Sequence, residues 1–324
     1  MQGRSPSHWA ALNEFSSITG MRILFWVCKV FGRWPFRLVM YPVLLWYVLV
    51  RSDARRASRI YLRHIASKLD AIRPFSVGLL MVVRHFAAFA EMMLDKMLLW
   101  SGLFDVEPVK YFGQDAMQEL IDQKRGAVVI CSHFGNIDLC RVISKQHDDV
   151  QMTILVHTKH AREFNRLLEK INPASELNLM QVTEITPATA MLLVERVAQG
   201  GLVVIAGDRI PVSINPRVVM ANFLGEVAPF PIGPYILASV LQCPIYTLFS
   251  MRGDRHYEVH FKKLRETVRL PRKDRQQGLA ELVADYVAEL ERHCLNTPLQ
   301  WFNFYDYWHL PDWNHTDAST HHHL

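Results

Sequence analysis

Residues 126–140 read Gly-Ala-Val-Val-Ile-Cys-Ser-His-Phe-Gly-Asn-Ile-Asp-Leu-Cys, an apolar run that empties into a polar turn. Ala127 to Cys131 is too short for a helix, is rich in β-branched residues and follows a Gly, so it predicts a buried strand of the parallel type. Ser132 ends it. A helix is expected to follow over 137–145, opening through Ile137, Leu139 and Val142. The turn between such a strand and such a helix is where α/β sheets present reactive side chains. His133 and Asp138 stand in that turn.

The alternation continues along the chain. Gln114 to Asp122 predicts a helix, Met152 to Val156 a strand, 161–171 a helix and 177–182 a weaker strand. Thr186-Pro187 is a helix start, with a Thr cap and Pro in the first turn, and Gly200-Gly201 is a stop. Leu202 to Ala206 is another buried strand, ending at Gly207-Asp208-Arg209. A rigid apolar stretch follows from Ala228 to Pro234, then a helix over 234–241, closing strands at 245–250 and 256–261, and a helix over 278–293. The aromatic run from Trp301 to Trp308 is expected to pack back on the core. Strands alternating with helices predict an α/β fold with a mostly parallel central sheet flanked by helices.

The N-terminal part has another character. Residues 1–20 are polar, and from Met21 to Val50 the chain is apolar and aromatic, interrupted by Lys29, Arg33 and Arg37. Its uninterrupted piece, Leu38 to Val50, falls short of the roughly 20 residues that span a bilayer. We expect an interfacial or re-entrant helical membrane anchor, with its aromatic and cationic residues at headgroup depth. A buried core helix and a single tilted span are the alternatives. Arg51, Arg55, Arg59 and Arg63 recur every fourth residue, one basic stripe on a helix. Such a stripe can mark the cytoplasmic side, bind anionic lipid, receive an acidic protein, or be an ordinary solvated face. Arg73-Pro74 breaks the chain and 75–104 predicts a further helix. The organisation is a tail (1–20), a helical membrane-associated region (21–104), an α/β domain (105–310) and a second tail (311–324).

Composition narrows the function classes. With 50% hydrophobic residues and 16 Pro in 324, the chain can bury a full core. The five Cys show no C-x-x-C and no zinc spacing, so they read as reduced thiols on a cytoplasmic face, with no metal site. The net charge of +5 suits an anionic partner but is too mild to argue for nucleic acid. No Walker A or G-x-G-x-x-G pattern occurs, which counts against nucleotide-driven chemistry.

In a His-x-x-x-x-Asp dyad, a carboxylate hydrogen-bonds one imidazole nitrogen and leaves the other free as a base toward a hydroxyl. His133 and Asp138 have that spacing. The 15 His and 31 acidic residues predict roughly 1.4 such pairs by chance, so the strand-to-helix setting carries the argument. Asp208 and Arg209 end a second strand and belong on the same edge of a parallel sheet. Arg209 can grip a phosphate or carboxylate or polarise a carbonyl, and Asp208 can orient Arg209 or His133. Phe230 and Pro231, within the apolar stretch, are candidates for the wall of an apolar substrate channel. Arg265, Arg269 and Arg272 lie in a basic cluster over 262–275 that, like Arg55, Arg59 and Arg63, offers a surface for docking an acidic protein or is a solvated face.

Four blocks also carry a resemblance: Ser-His-Phe-Gly-Asn-Ile-Asp (132–138), Ala-Gly-Asp-Arg (206–209), Asn-Phe-Leu-Gly-Glu-Val-Ala-Pro-Phe-Pro-Ile-Gly-Pro (222–234) and Pro-Leu-Gln-Trp-Phe (298–302). In this order they resemble the bacterial lipid A late acyltransferase family, from about residue 20 to about 310. The resemblance implies an enzyme on the cytoplasmic face of the inner membrane that moves a fatty acyl group from acyl carrier protein, or coenzyme A, to a hydroxyl, with no cofactor. The family usually has Glu in place of Asp138, and Gln is commoner after the second Asp than Arg209. The acceptor therefore stays open between a lipid A precursor and another lipid or glycolipid. With no G-x-S-x-G elbow, direct transfer is expected, an acyl-enzyme on Cys131 or Ser132 being a lesser alternative. The rival classes are a non-catalytic lipid- or carrier-binding protein and a thioester or ester hydrolase.

Overall fold

The computed structural model describes residues 26–27, 30–69, 75–100, 108–139, 151–156, 178–181, 187–210, 216–254 and 256–309. Its strands are β1 (Val109–Phe112), β2 (Ala127–Cys131), β3 (Met152–Val156), β4 (Asn178–Gln181), β5 (Leu202–Ala206), β6 (Val218–Phe223), β7 (Glu226–Pro231), β8 (Ile245–Arg252) and β9 (Tyr257–Arg265). Its longer helices are α1 (Arg33–Val50), α2 (Ser52–Leu69), α3 (Leu79–Trp100), α4 (Gln114–Asp122), α5 (Pro187–Ala198), α6 (Gly233–Leu241) and α7 (Arg275–Asn296). The predicted helix over 161–171, most of that over 137–145 and the Arg73-Pro74 break lie outside the described residues.

Seven strands form one sheet in the order β1-β9-β8-β2-β5-β3-β4, and only the β8–β9 pairing is antiparallel. The fold is thus the expected α/β type, with a mostly parallel sheet flanked by helices. β2 is central, between β5 and β8, and all five of its residues are buried. Val128 and Ile130 pack on the face that α7 covers through Leu282, Val283 and Tyr286. Ala127, Val129 and Cys131 pack on the opposite face with Leu120 of α4. Burial on both faces explains why this strand reads as a continuous apolar run.

Two pairings depart from the sequence reading. β1 is a short, largely exposed edge strand whose partner, Tyr257 to His260 of β9, is distant in sequence. β6 and β7 form an antiparallel hairpin, so Ala228 to Pro231 is strand rather than irregular backbone. Its turn places Leu224 and Gly225 at φ 55 and 92, the left-handed pair that a two-residue hairpin needs. The strained Leu224 is compensated by full burial and by its N–H donating to Glu291 Oε2 at 2.6 Å.

The N-terminal helices pack beside this core. α2 buries Ala54, Ala57, Ser58, Tyr61, Leu62, Ile65 and Leu69, one face at helical spacing. α1 turns Met40, Leu44 and Val48 inward, and Arg37 forms a two-point ion pair with Glu91 of α3 (2.7 and 3.0 Å). Trp34, Leu38, Tyr41, Leu45, Trp46 and Leu49 are exposed. No helix among the described residues is long and apolar enough to cross a membrane.

Candidate active site

The register of the sheet builds the site. Cys131 of β2 pairs with Ala206 of β5 at their carboxyl ends, and two residues beyond each stand His133 and Asp208. His133 Nδ1 lies 2.9 Å from Asp208 Oδ1. An ionised carboxylate only accepts, so Nδ1 carries the proton and Nε2 keeps its lone pair. The His133 side chain is 42% exposed while that of Asp208 is sealed. The arrangement is an open imidazole on a buried carboxylate.

Asp208 is held from several directions. Its Oδ2 accepts from Ser132 Oγ at 2.7 Å, His133 N at 2.9 Å, Trp301 Nε1 at 3.0 Å and Asn303 Nδ2 at 3.2 Å. Burial alone would raise the pKa of this carboxyl. The His133 ring, Arg209 and the Ser132 hydroxyl outweigh it and hold the pKa well below the usual carboxylate range. For His133 itself, loss of water around the ring lowers the pKa, and the positive charges of Arg209 and Lys96 push the same way against Asp208. The ring is therefore neutral, and able to accept a proton, at pH 7.

The turn is shaped by Gly135. Its φ is +58, and a Cβ there would stand 1.8 Å from the Ser250 carbonyl oxygen, so only glycine fits. A strap, Gln300–Asn303, runs antiparallel beside the turn. Gly135 N donates to Gln300 O and Phe302 N to His133 O, both at 2.8 Å, and Phe134 bridges Trp301.

Of the two roles the sequence left open to Asp208, contact with His133 is made, at 2.9 Å. Asp138, which the five-residue spacing paired with His133, instead forms a buried ion pair with Lys96 Nζ of α3 at 2.8 Å. Its own N–H is capped by Asn136 Oδ1. Arg209 sends Nη2 toward Phe302 O (3.4 Å) and lies 5.2 Å from the centre of the Tyr305 ring. Phe230 has no accessible surface: it packs on Phe223, Tyr286 and Tyr307 as core, and Pro231 is buried at the end of β7. Neither is placed to line an open channel. Arg55 folds back to cap α1, with Nη1 at 2.6 Å from Val48 O and 2.8 Å from Leu49 O, and Arg265 is ion-paired with Asp285. Arg63, Arg269 and Arg272 are exposed and Arg59 half-buried.

The sequence profile of the bacterial lipid A biosynthesis acyltransferase family matches residues 79–309, a span that includes β2, β5, the turn and the strap. The chain belongs to this family. It is therefore an acyltransferase of lipid A biosynthesis, with an acyl donor and a lipid acceptor. A comparison with curated proteins found no match. Among the described residues of the acyltransferase, no cluster of His, Cys, Asp and Glu could hold a metal ion.

Sequence reasoning missed the Asp208 donors Trp301 and Asn303 and the Lys96 partner of Asp138. The first had a signal: the 298–302 block of the resemblance contains Trp301, and a tryptophan N–H packed inside a core needs an acceptor. Ser132 and Cys131 are buried, and the Ser132 hydroxyl donates to Asp208.

Proposed function

We propose that the protein transfers a fatty acyl group from a thioester of acyl carrier protein directly to a hydroxyl of a lipid A precursor, at the cytoplasmic face of the inner membrane. The observation that carries this reading is the exposed His133 ring whose Nδ1 is fixed by the buried Asp208. Nε2 takes the proton from the acceptor hydroxyl as its oxygen attacks the thioester carbonyl. Asp208 stabilises the imidazolium that forms. The C–S bond then breaks, and the thiolate recovers that proton to leave as a thiol. Arg209, beside the base, offers positive charge to the developing oxyanion or to a substrate phosphate.

Membrane attachment is supported by α1. Its ion pair with Glu91 draws the Arg37 cation inward, which leaves Trp34, Leu38, Tyr41, Leu45, Trp46 and Leu49 as an apolar aromatic face open to the outside. Such a face fits a helix lying in the headgroup region. With Arg265 committed to Asp285, the exposed Arg269 and Arg272 remain the better candidates for the acidic carrier protein.

The test is acyl transfer by the full chain, reconstituted in vesicles, from acyl carrier protein thioester to a lipid A precursor. His133→Ala should lower turnover by about 100- to 10,000-fold while leaving vesicle binding intact. Wild-type turnover in that variant, or release of free fatty acid in place of acylated lipid, would overturn the proposal.

A further inference from the structure

The strap is gripped from the side opposite the site. His85 of α3 is fully buried, with Nε2 at 2.9 Å from the Trp301 carbonyl oxygen and Nδ1 at 2.9 Å from Ser58 Oγ of α2. A carbonyl can only accept, so Nε2 carries the hydrogen and Nδ1 accepts from the Ser58 hydroxyl. Burial lowers the His85 pKa to about 4, so this tautomer is the neutral form at pH 7. The Trp301 ring packs on Tyr61 (5.0 Å between centroids) and Phe223 (5.2 Å), and its N–H reaches Asp208 Oδ2 at 3.0 Å.

We propose that Trp301 is a positioning residue for acyl transfer, its indole N–H holding the Asp208 carboxylate toward His133 Nδ1, and that His85 sets the strap that carries it. This inference rests on the reading of His133 as base and Asp208 as its orienting partner. The path runs from Ser58 through His85, Trp301 and Asp208 to His133, so helices α2 and α3 help fix the base without touching a substrate. Removing the indole N–H concentrates negative charge on Asp208, which then attracts the His133 proton more strongly. The acid limb of kcat/KM must move to higher pH. The charged groups facing His133, namely Asp208 and Arg209 after β5 and Lys96 on α3 with its partner Asp138, are unchanged by that substitution.

The experiment compares wild type, Trp301→Phe and Asp208→Asn, each as the full chain in vesicles, with thermal unfolding to report folding. Trp301→Phe should lower kcat about 10- to 100-fold, as expected for a supporting hydrogen bond, with KM little changed. Its acid limb should rise by about half a unit to one unit. His85→Leu should behave alike, whereas His85→Gln, whose amide can still donate to the Trp301 carbonyl, should recover most of the rate. If Trp301→Phe folds with wild-type kcat and an unmoved limb while Asp208→Asn is inactive, the positioning role is refuted and the dyad stands. If Asp208→Asn turns over like wild type, the dyad reading falls and this inference with it. Should Trp301→Phe not fold, His85→Leu and His85→Gln decide: identical rates and limbs in the two would refute the role.

Discussion

Replacing Asp208 by Asn is the sharpest perturbation of the site. Four donors converge on Oδ2, so the single amide oxygen must stay there, and the new Nδ2 then faces His133 Nδ1. Two N–H groups cannot face each other, and the imidazole shifts to the tautomer with its proton on Nε2. The lone pair that would accept the substrate proton is lost. General-base catalysis contributes about 100- to 10,000-fold, and the corresponding substitution in a Ser-His-Asp triad costs about 10,000-fold, so kcat should fall by about 1,000- to 10,000-fold. KM should stay within about threefold, since Asp208 is sealed from substrate. Initial rates of acyl transfer from pH 5 to 9 are the assay. Wild type should show an acid limb with a midpoint below the ordinary imidazole value of about 6.5, because desolvation, Arg209 and Lys96 all lower the His133 pKa. Asp138→Asn leaves the Nδ1 contact in place and should keep the shape of that profile. A folded Asp208→Asn enzyme within tenfold of wild type would refute the tautomer argument.

The other expectations concern stability and attachment. Gly135→Ala adds left-handed strain of about 1–2 kcal/mol to a clash with the Ser250 carbonyl, so chemical denaturation should show a loss above about 3 kcal/mol or no folded protein. Burial holds His85 at about 4 and His293 at about 3. The unfolded chain binds these protons near pH 6.5 and the folded chain does not, so their contribution is intact above that pH and is lost as pH falls toward the folded values. The expected slope approaches about 3 kcal/mol per pH unit below pH 6 with both groups, and a flat urea midpoint from pH 7 to 4.5 would contradict it. Replacing Trp34, Leu38 and Trp46 together by Ser should release the protein from anionic vesicles in a flotation assay, with activity on detergent-dispersed substrate retained; undiminished vesicle binding would remove α1 from that role.

What the sequence revealed depended on how local the signal was. β2, β3 and β5 were legible to the residue because each is a short β-branched run between turn residues. β1 was not, since among the described residues its one strand neighbour is β9, more than a hundred residues later. The β6–β7 hairpin was hidden because its turn uses Leu224, whose left-handed backbone is tolerated only through burial and the Glu291 contact. His133 was legible from its place after β2. Its partner was half legible: the five-residue spacing favoured Asp138, while the register of two strands that meet only in the folded sheet brings up Asp208. The Arg55 cap shows the same limit, because a stripe at helical spacing cannot tell which of its cations turns back to a carbonyl.

The strap also bears on how the enzyme comes into being. Asp208 and His133 leave the ribosome well before Trp301 and Asn303, so a nascent chain translated only as far as Arg292 lacks two of the donors on the carboxylate and the strand that braces the turn. On the proposed mechanism, His133 acquires its full orientation only when the strap docks against α3 through His85 and against the end of β8 through Gln300 and Arg252, so activity is expected late in synthesis, after the helical layer has assembled. Prematurely terminated chains that keep His133 and Asp208 but lack the strap should therefore be inactive in acyl transfer.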